Sequence, residues 1–236
     1  GTRSATTGST GAYTLAGVPN GSLTLTPSRA GFTFSPPSLS VTVNGANLTG
    51  RDFTATGLPT RPLLEAHFDA GNDGFVYLDD AFRGTAQPSF ASGGRLATGG
   101  VSGGALAVAI GGINDATILN MSGGWRVAFN MPVAGPARVT FAYKLTQTAE
   151  YESDERSQVL ATLDGAFLGA AGVVAELVGN GNGGLIITTG FRTFQVDVPN
   201  LAAGQHVLAI GGFNSQKNMA NEATGVVIDD VRVLGP

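Results

Sequence analysis

Residues 125–163 read WRVAFNMPVAGPARVTFAYKLTQTAEYESDERSQVLATL. Within them Trp125, Val127, Phe129 and Met131, then Val139, Phe141, Tyr143 and Leu145, recur at every second position, the period of a strand whose two faces meet different surroundings. A helix repeats its apolar positions every three or four residues, and no segment of the chain sustains that period between caps. Runs of the same kind lie on both sides of this stretch: LLEAHF, GFVYL, ALAVAI and ATILNM before it, GVVAELV, LIITT, FRTFQVDV, HVLAI and GVVIDDVRVL after it. Short strands at this spacing over residues 63–236 predict an all-β fold, a large antiparallel sandwich or jelly roll with few and short helices.

The chain has 236 residues, 42% of them hydrophobic, which is enough for a packed core despite 36 glycines and only 13% charged residues. Its net charge is -4, and no Lys/Arg cluster stands in it, which excludes nucleic acid and an anionic membrane surface as partners. Asp52 is the only acidic residue ahead of Glu65, so the acidity belongs to the later part of the chain. With no cysteine there is no disulfide and no thiolate metal site. The longest uncharged run, around Leu106, is broken by glycines and too polar to span a bilayer, and no signal peptide is present. Asn20, Asn47 and Asn120 fit the N-glycosylation sequon, as expected by chance in a chain so rich in Asn, Ser and Thr.

Residues 58–62 lie between an FTAT strand and the next apolar run and carry two prolines, so they read as a short stiff linker between a first domain, 1–57, and a second, 63–236. The first reads as strands and turns. In it Gly11, Tyr13, Leu15, Gly17, Val18, Pro19 and Gly21, followed by SRAGFTFSPPSLSVTV, resemble the C-terminal half of a carboxypeptidase regulatory-like (transthyretin-like, Ig-type) domain of bacterial surface proteins. That resemblance implies a partial Ig-like sandwich whose opening strands are lacking, a supporting or connecting module whose open edge a neighbouring chain could complete.

In the second domain HFDAG, SGGW, YESDE, GGFN and VIDDVRV resemble concanavalin A-like and carbohydrate-binding jelly rolls of the MAM-like and LamG-like kind. The resemblance implies first and last strands lying side by side, and a structural calcium joining Asp69 to Asp229 or Asp230, with Asp79 and Asp80 in reserve. Alternation sends one of Asp229 and Asp230 inward, where an unpaired carboxylate is costly; a cation or amide donors must meet it. ALAVAIGGIND (105–115) and HVLAIGGFNS (206–215) share Ile-Gly-Gly-apolar-Asn, read either as equivalent strands of facing sheets or as one turn solution used twice.

The sharpest local chemistry is the loop around Glu150, Glu152, Asp154 and Glu155. Carboxylates this close repel unless solvated or bridged, and hard oxygens suit calcium. With the oxygen-rich NSQKNMANE loop opposite, a calcium site would draw on Glu152, Asp154, Glu155, Asn221 and Glu222; the alternative is a solvated loop neutralised by Arg156 and Lys217. Sugar rings need aromatic faces: Tyr77, Tyr151 and Phe213 could form a platform, and Trp125 either lines a face or, the favoured reading, belongs to the core. For catalysis there is little: His67 and His206 stand on strand-like runs without a Ser, His and acid arrangement, no Glu-x-Asp-x-x-Glu strand occurs, and GNGNGG (179–184) lacks a phosphate loop's Lys and helix. The expectation is a non-catalytic, calcium-stabilised module of the bacterial cell surface or extracellular space, binding a glycan or serving adhesion. The alternative is a filament or layer subunit whose incomplete first domain takes a strand from its neighbour head-to-tail; a polysaccharide-active enzyme comes third.

Overall fold

The computed structural model describes residues 3–29, 31–181 and 183–236. Gly1 and Thr2 of the first expected domain, Ala30 of SRAGFTF and Asn182 of GNGNGG lie outside the described residues. Two compact units meet in the sequence at Leu58 and Pro59. In the first, β1 (Gly21–Leu25) pairs antiparallel with β3 (Leu39–Val43), and β2 (Phe32–Ser35) with β4 (Thr54–Gly57). Leu23, Leu25, Phe32, Phe34, Val41 and Val43 alternate with exposed neighbours, yet all are only half-buried; no described residue up to Leu58 is fully buried. The Tyr13 hydroxyl donates to the Arg51 carbonyl at 2.5 Å, tying the two ends of this unit's chain.

The second unit is a two-sheet β-sandwich. Its strands are β5 (Arg61–Ala66), β6 (Val76–Asp79), β7 (Ala91–Leu96), β8 (Ala105–Gly111), β9 (Ile118–Met131), β10 (Gly135–Gln147) and β11 (Arg156–Leu163). They continue as β12 (Ala166–Phe167), β13 (Ala175–Val178), β14 (Ile187–Thr188), β15 (Arg192–Leu201), β16 (Gly204–Lys217) and β17 (Ala223–Gly235). One sheet runs β10, β17, β8, β7, with β14 and β15 on the outer edge of β10 and β5 beside β17; the other runs β12, β11, β16, β9, β6, with β13 beside β11. A single 3₁₀ turn, Pro88–Phe90, is the helical structure among the described residues.

Inward positions from both sheets make one core, with Leu106, Val108, Trp125, Phe129, Phe141, Leu145, Val159, Ile210 and Ile228 at its heart. The Trp125 indole, on β9, donates to the Ala107 carbonyl, on β8, at 3.0 Å and so bridges the sheets. Two boundaries differ from the sequence reading. Arg61 and Pro62, expected in the linker, belong to β5 and pair with Gly235 and Leu234, where a register shift accommodates the proline that cannot donate. The runs ATILNM and WRVAFNM form the single strand β9, because the Gly123-Gly124 step between them stays extended instead of turning.

As expected, the first and last strands of the unit are neighbours, but β17 divides its outer edge between two partners. Ala223–Ile228 pair with β8 and Val231–Gly235 with β5. Asp229 and Asp230 occupy the gap where the partner changes, with Asp230 at φ 50°.

Candidate functional site

Three connections cross between the sheets at one end of the sandwich: β8 to β9, β10 to β11, and β16 to β17. Since β10 and β17 are neighbours in one sheet and β11 and β16 in the other, the acidic connection of Tyr151–Glu155 must face the connection of Asn218–Glu222. Beneath them the apolar core gives way to a polar layer. Asn214 Nδ2 donates to the Tyr151 hydroxyl at 2.6 Å and to Thr224 Oγ1 at 2.8 Å, and the hydroxyls of Ser157 and Thr224 meet at 2.5 Å. Tyr151, Ser157, Asn214 and Thr224 are all buried.

Above this layer the carboxylates of Glu152, Glu155 and Glu222 gather, one oxygen of each within 4.8 Å of the others. Glu155 and Glu222 are fully buried, 0% exposed. A turn from the Glu155 amide to the Glu152 carbonyl, 3.0 Å, places the two side chains together, and Glu155 Oε2 accepts from the Glu152 amide at 2.9 Å. Asn218 Nδ2 donates to Glu152 Oε2 at 3.1 Å and to Glu155 Oε1 at 3.4 Å. Glu222 Oε2 accepts from the amides of Met219, at 2.9 Å, and Asn218. Burial, then the carboxylates of Glu152 and Glu222, pushes the Glu155 carboxyl up to about 8.

Of the residues expected here, Asp154 and Asn221 stand outside the group: both are exposed, and Asn221 contributes its carbonyl to the Thr148 hydroxyl at 2.6 Å. The neutralising cations of the alternative reading are committed elsewhere. Arg156 pairs with Glu176 at 3.0 Å, and buried Lys217 donates to the carbonyl of Asn114, its Nζ 5.5 Å from the Phe90 ring centre.

The other expected metal position is occupied by hydrogen bonds. Asp229, fully buried, accepts from the amides of Val101 at 2.8 Å and Ser102 at 3.5 Å, and Asp69 Oδ1 accepts from Gly104 at 3.0 Å. The loop can wrap so close because Gly100 and Gly103 lack a Cβ, which would stand 2.4 Å from Asp229 Oδ2 and 1.9 Å from Asp69 Oδ1. Asp230 instead meets His67 Nδ1 at 2.8 Å. Asp69, Asp229 and Asp230 therefore do not converge as a three-carboxylate group among the described residues, and neither do Asp79 and Asp80, the latter holding the Gln87 amide at 2.8 Å. Burial raises Asp229; its hydrogen bond to Asp230 raises His67.

The expected aromatic platform is corrected by burial. Trp125, Tyr151 and Phe213 are buried and Tyr77 is half-buried with its ring edge-on to Trp125, centroids 5.4 Å apart. Trp125, Tyr77 and Tyr151 face the interior, and the Arg83 guanidinium covers Phe213 at 4.5 Å, so none of them offers an open ring face. Exposed aromatics lie elsewhere: Phe191, 37% exposed, with Lys144 Nζ 5.0 Å from its ring centre, and Phe167, 41% exposed, at the end of the two-residue strand β12, with the Arg83 guanidinium 6.0 Å from its ring centre. The Asp-Gly turn at Asp164–Gly165 just ahead of it is the sequence signal that could have flagged a projecting hairpin.

Both histidines are held by acids: His206 Nδ1 meets Asp164 at 2.6 Å, with Nε2 at 2.9 Å from the Ala202 carbonyl. No helix among the described residues is long and apolar enough to cross a membrane.

No protein-family model and no curated protein matches the chain. Among solved structures it is similar to TmCBM61 in complex with β-1,4-galactotriose, at 12% identity and a TM-score of 0.41 over 75% of this chain and 100% of that one. The K1 cleaved adhesin domain of Lys-gingipain from Porphyromonas gingivalis matches at 19% identity and TM-score 0.41, over 73% of this chain and 98% of that one. A family 35 carbohydrate binding module from Clostridium thermocellum matches at 13% identity and TM-score 0.35, over 75% and 100%. Identities and TM-scores this low leave the ligand to be read from the residues themselves. The class the coordinates define is an all-β protein with a two-sheet sandwich as its larger unit.

Proposed function

We propose that the second unit is a non-catalytic extracellular module that binds a glycan, in adhesion or attachment. The observation that carries this reading is the exposed Phe167 ring flanked by Arg83. A sugar ring stacks its C–H face on an aromatic, and a guanidinium beside it offers several N–H donors to hydroxyls. Arg83 is itself exposed, at φ 56°, and is held across Phe213 and Phe167, so little side-chain freedom is left to lose on binding. Of the gathered carboxylates, Glu155 and Glu222 are sunk at the sandwich end, and His206 is engaged on both ring nitrogens. A panel of oligosaccharides tests the reading: Phe167→Ala should abolish binding and Arg83→Ala weaken it, whereas a panel without a binder, or a binder indifferent to both changes, overturns it.

A second reading rests on the first unit, where among the described residues each of β1 to β4 has a partner on one edge only. A strand from another chain could add to such an edge and give a subunit of a filament or layer. Light scattering of the purified chain should then show mass rising with concentration; a monomer at every concentration rejects it.

A further inference from the structure

Glu155 and Glu222 are fully buried, and neither is in an ion pair among the described residues. Two observations point the same way. Among the described residues Glu222 Oε1 has no donor, although Oε2 of the same carboxylate takes two amides. Gln147, also fully buried, has no partner among them for either amide atom. Gln147 stands opposite Thr224 in the β10–β17 ladder, so it shares the inward face with Glu222, one pleat away. A buried carboxylate oxygen left without donor or cation is strongly disfavoured.

We infer that this end of the sandwich is a divalent-cation site of the calcium class. Glu152, Glu155 and Glu222 supply carboxylate oxygens, and the Asn218 amide, rotated so that Oδ1 faces inward, supplies another. All the donors are oxygens, which favours a hard cation; the group contains no His or Cys, which zinc would want. The donors come from two irregular connections, a geometry that suits calcium's six to eight flexible positions better than the strict octahedron of magnesium. Glu152 and Asn218 are partly exposed, which gives the ion a way in and leaves room for water ligands. The ion ties the β10–β11 connection to the β16–β17 connection, both of which cross between the sheets. This inference is independent of the glycan reading.

Terbium is the first probe, because the fully buried Tyr151 ring next to Glu152 can sensitise its emission. In the chelator-stripped full chain, excitation of tyrosine should give saturable emission with one ion per chain, displaced by calcium at lower concentration than by magnesium. Glu155→Gln and Glu222→Gln should each weaken the site at least ~10-fold, while Asp229→Asn, at the other acidic cluster, should leave it unchanged. Calcium should raise the melting temperature of the wild type and not of the two glutamine variants. In EDTA those variants should melt no lower than the wild type, since each replaces a buried carboxyl by a near-isosteric amide, and this separates lost binding from lost folding. The inference is overturned by the absence of a saturable site, by binding that survives both glutamine changes, or by binding that Asp229→Asn removes.

Discussion

Ile110-Gly-Gly-Ile-Asn114 and Ile210-Gly-Gly-Phe-Asn214 have nearly the same letters and opposite structures. In the first, Gly111 and Gly112 adopt φ 82° and 73°, end β8 and start the crossing to β9. In the second, Gly211 and Gly212 stay extended inside β16, facing Gly124 and Gly123 of β9. The first pair is glycine because the backbone must turn left-handed, with Gly111 also pressed by the Glu222 carbonyl oxygen, 2.5 Å from where a Cβ would stand. The second is glycine because neighbours occupy the space of a side chain: a Cβ on Gly211 would stand 2.2 Å from the Gly123 carbonyl oxygen, and one on Gly212 2.9 Å from both Ile110 Cδ1 and Val226 Cγ2. One residue type thus answers two unrelated demands, and the flanking sequence does not say which. The strands do belong to facing sheets, as one sequence reading held, while the turn reading fits the first copy alone.

Asparagine separates the two demands, since it tolerates a left-handed backbone but not a crowded apolar site. Gly212→Asn should cost more than about 3 kcal/mol, from overpacking and a buried unpaired amide together. Gly112→Asn, whose Cβ would meet Ala223 Cβ at 3.2 Å and otherwise only carbonyl oxygens at 3.6 Å and beyond, should cost less than about 1 kcal/mol. Denaturant unfolding of both variants measures the contrast, and equal losses would remove the distinction.

A smaller effect probes the link between the copies. Lys217, beyond the second, donates to the carbonyl of Asn114 at the end of the first. Lys217→Met keeps most of the buried stem and should cost about 1.5–3 kcal/mol through the lost charge-assisted bond. Stability unchanged in Lys217→Met would mean that the two connections are held together by something else.

The smallest effect lies at the start of the second copy's strand, where His206 meets Asp164. The hydrogen bond that His206 donates to Asp164 raises His206 above 6.5, so its stabilisation is complete below that pH and is lost as pH rises through the folded value. For Asp164 burial acts upward, but the hydrogen bonds from His206 and the Val207 amide outweigh it, so the net shift is below 3.8 and that part is lost as pH falls through the lowered value. Wild type should therefore lose melting temperature relative to Asp164→Asn as pH rises from 6 toward 9; parallel curves would show the pair to be without weight.

Period-two alternation made the sheets legible, and the density of acids marked a loop that supplies two of the three gathered carboxylates. What charge density could not tell was orientation: a tight turn throws Glu152 and Glu155 to one side and leaves Asp154 in solvent. Tyr151 misled for the same reason, since it stands in the loop but faces inward, whereas Trp125 is in the core as the favoured reading had it. Strand β7, ASGGRL, escaped notice because its glycines interrupt the alternation, and Gly93 is there to admit the Tyr77 ring, whose Cδ2 would lie 2.0 Å from a Cβ.

The last strand is hydrogen-bonded to β10 along one edge and shares the other between β8 and β5. As the chain is synthesised, those three strands leave the ribosome before the element that joins them. The first sheet then waits, with its apolar face open, until residues 223–235 emerge, and any shortening of that segment should leave a chain that chaperones and proteases treat as unfinished.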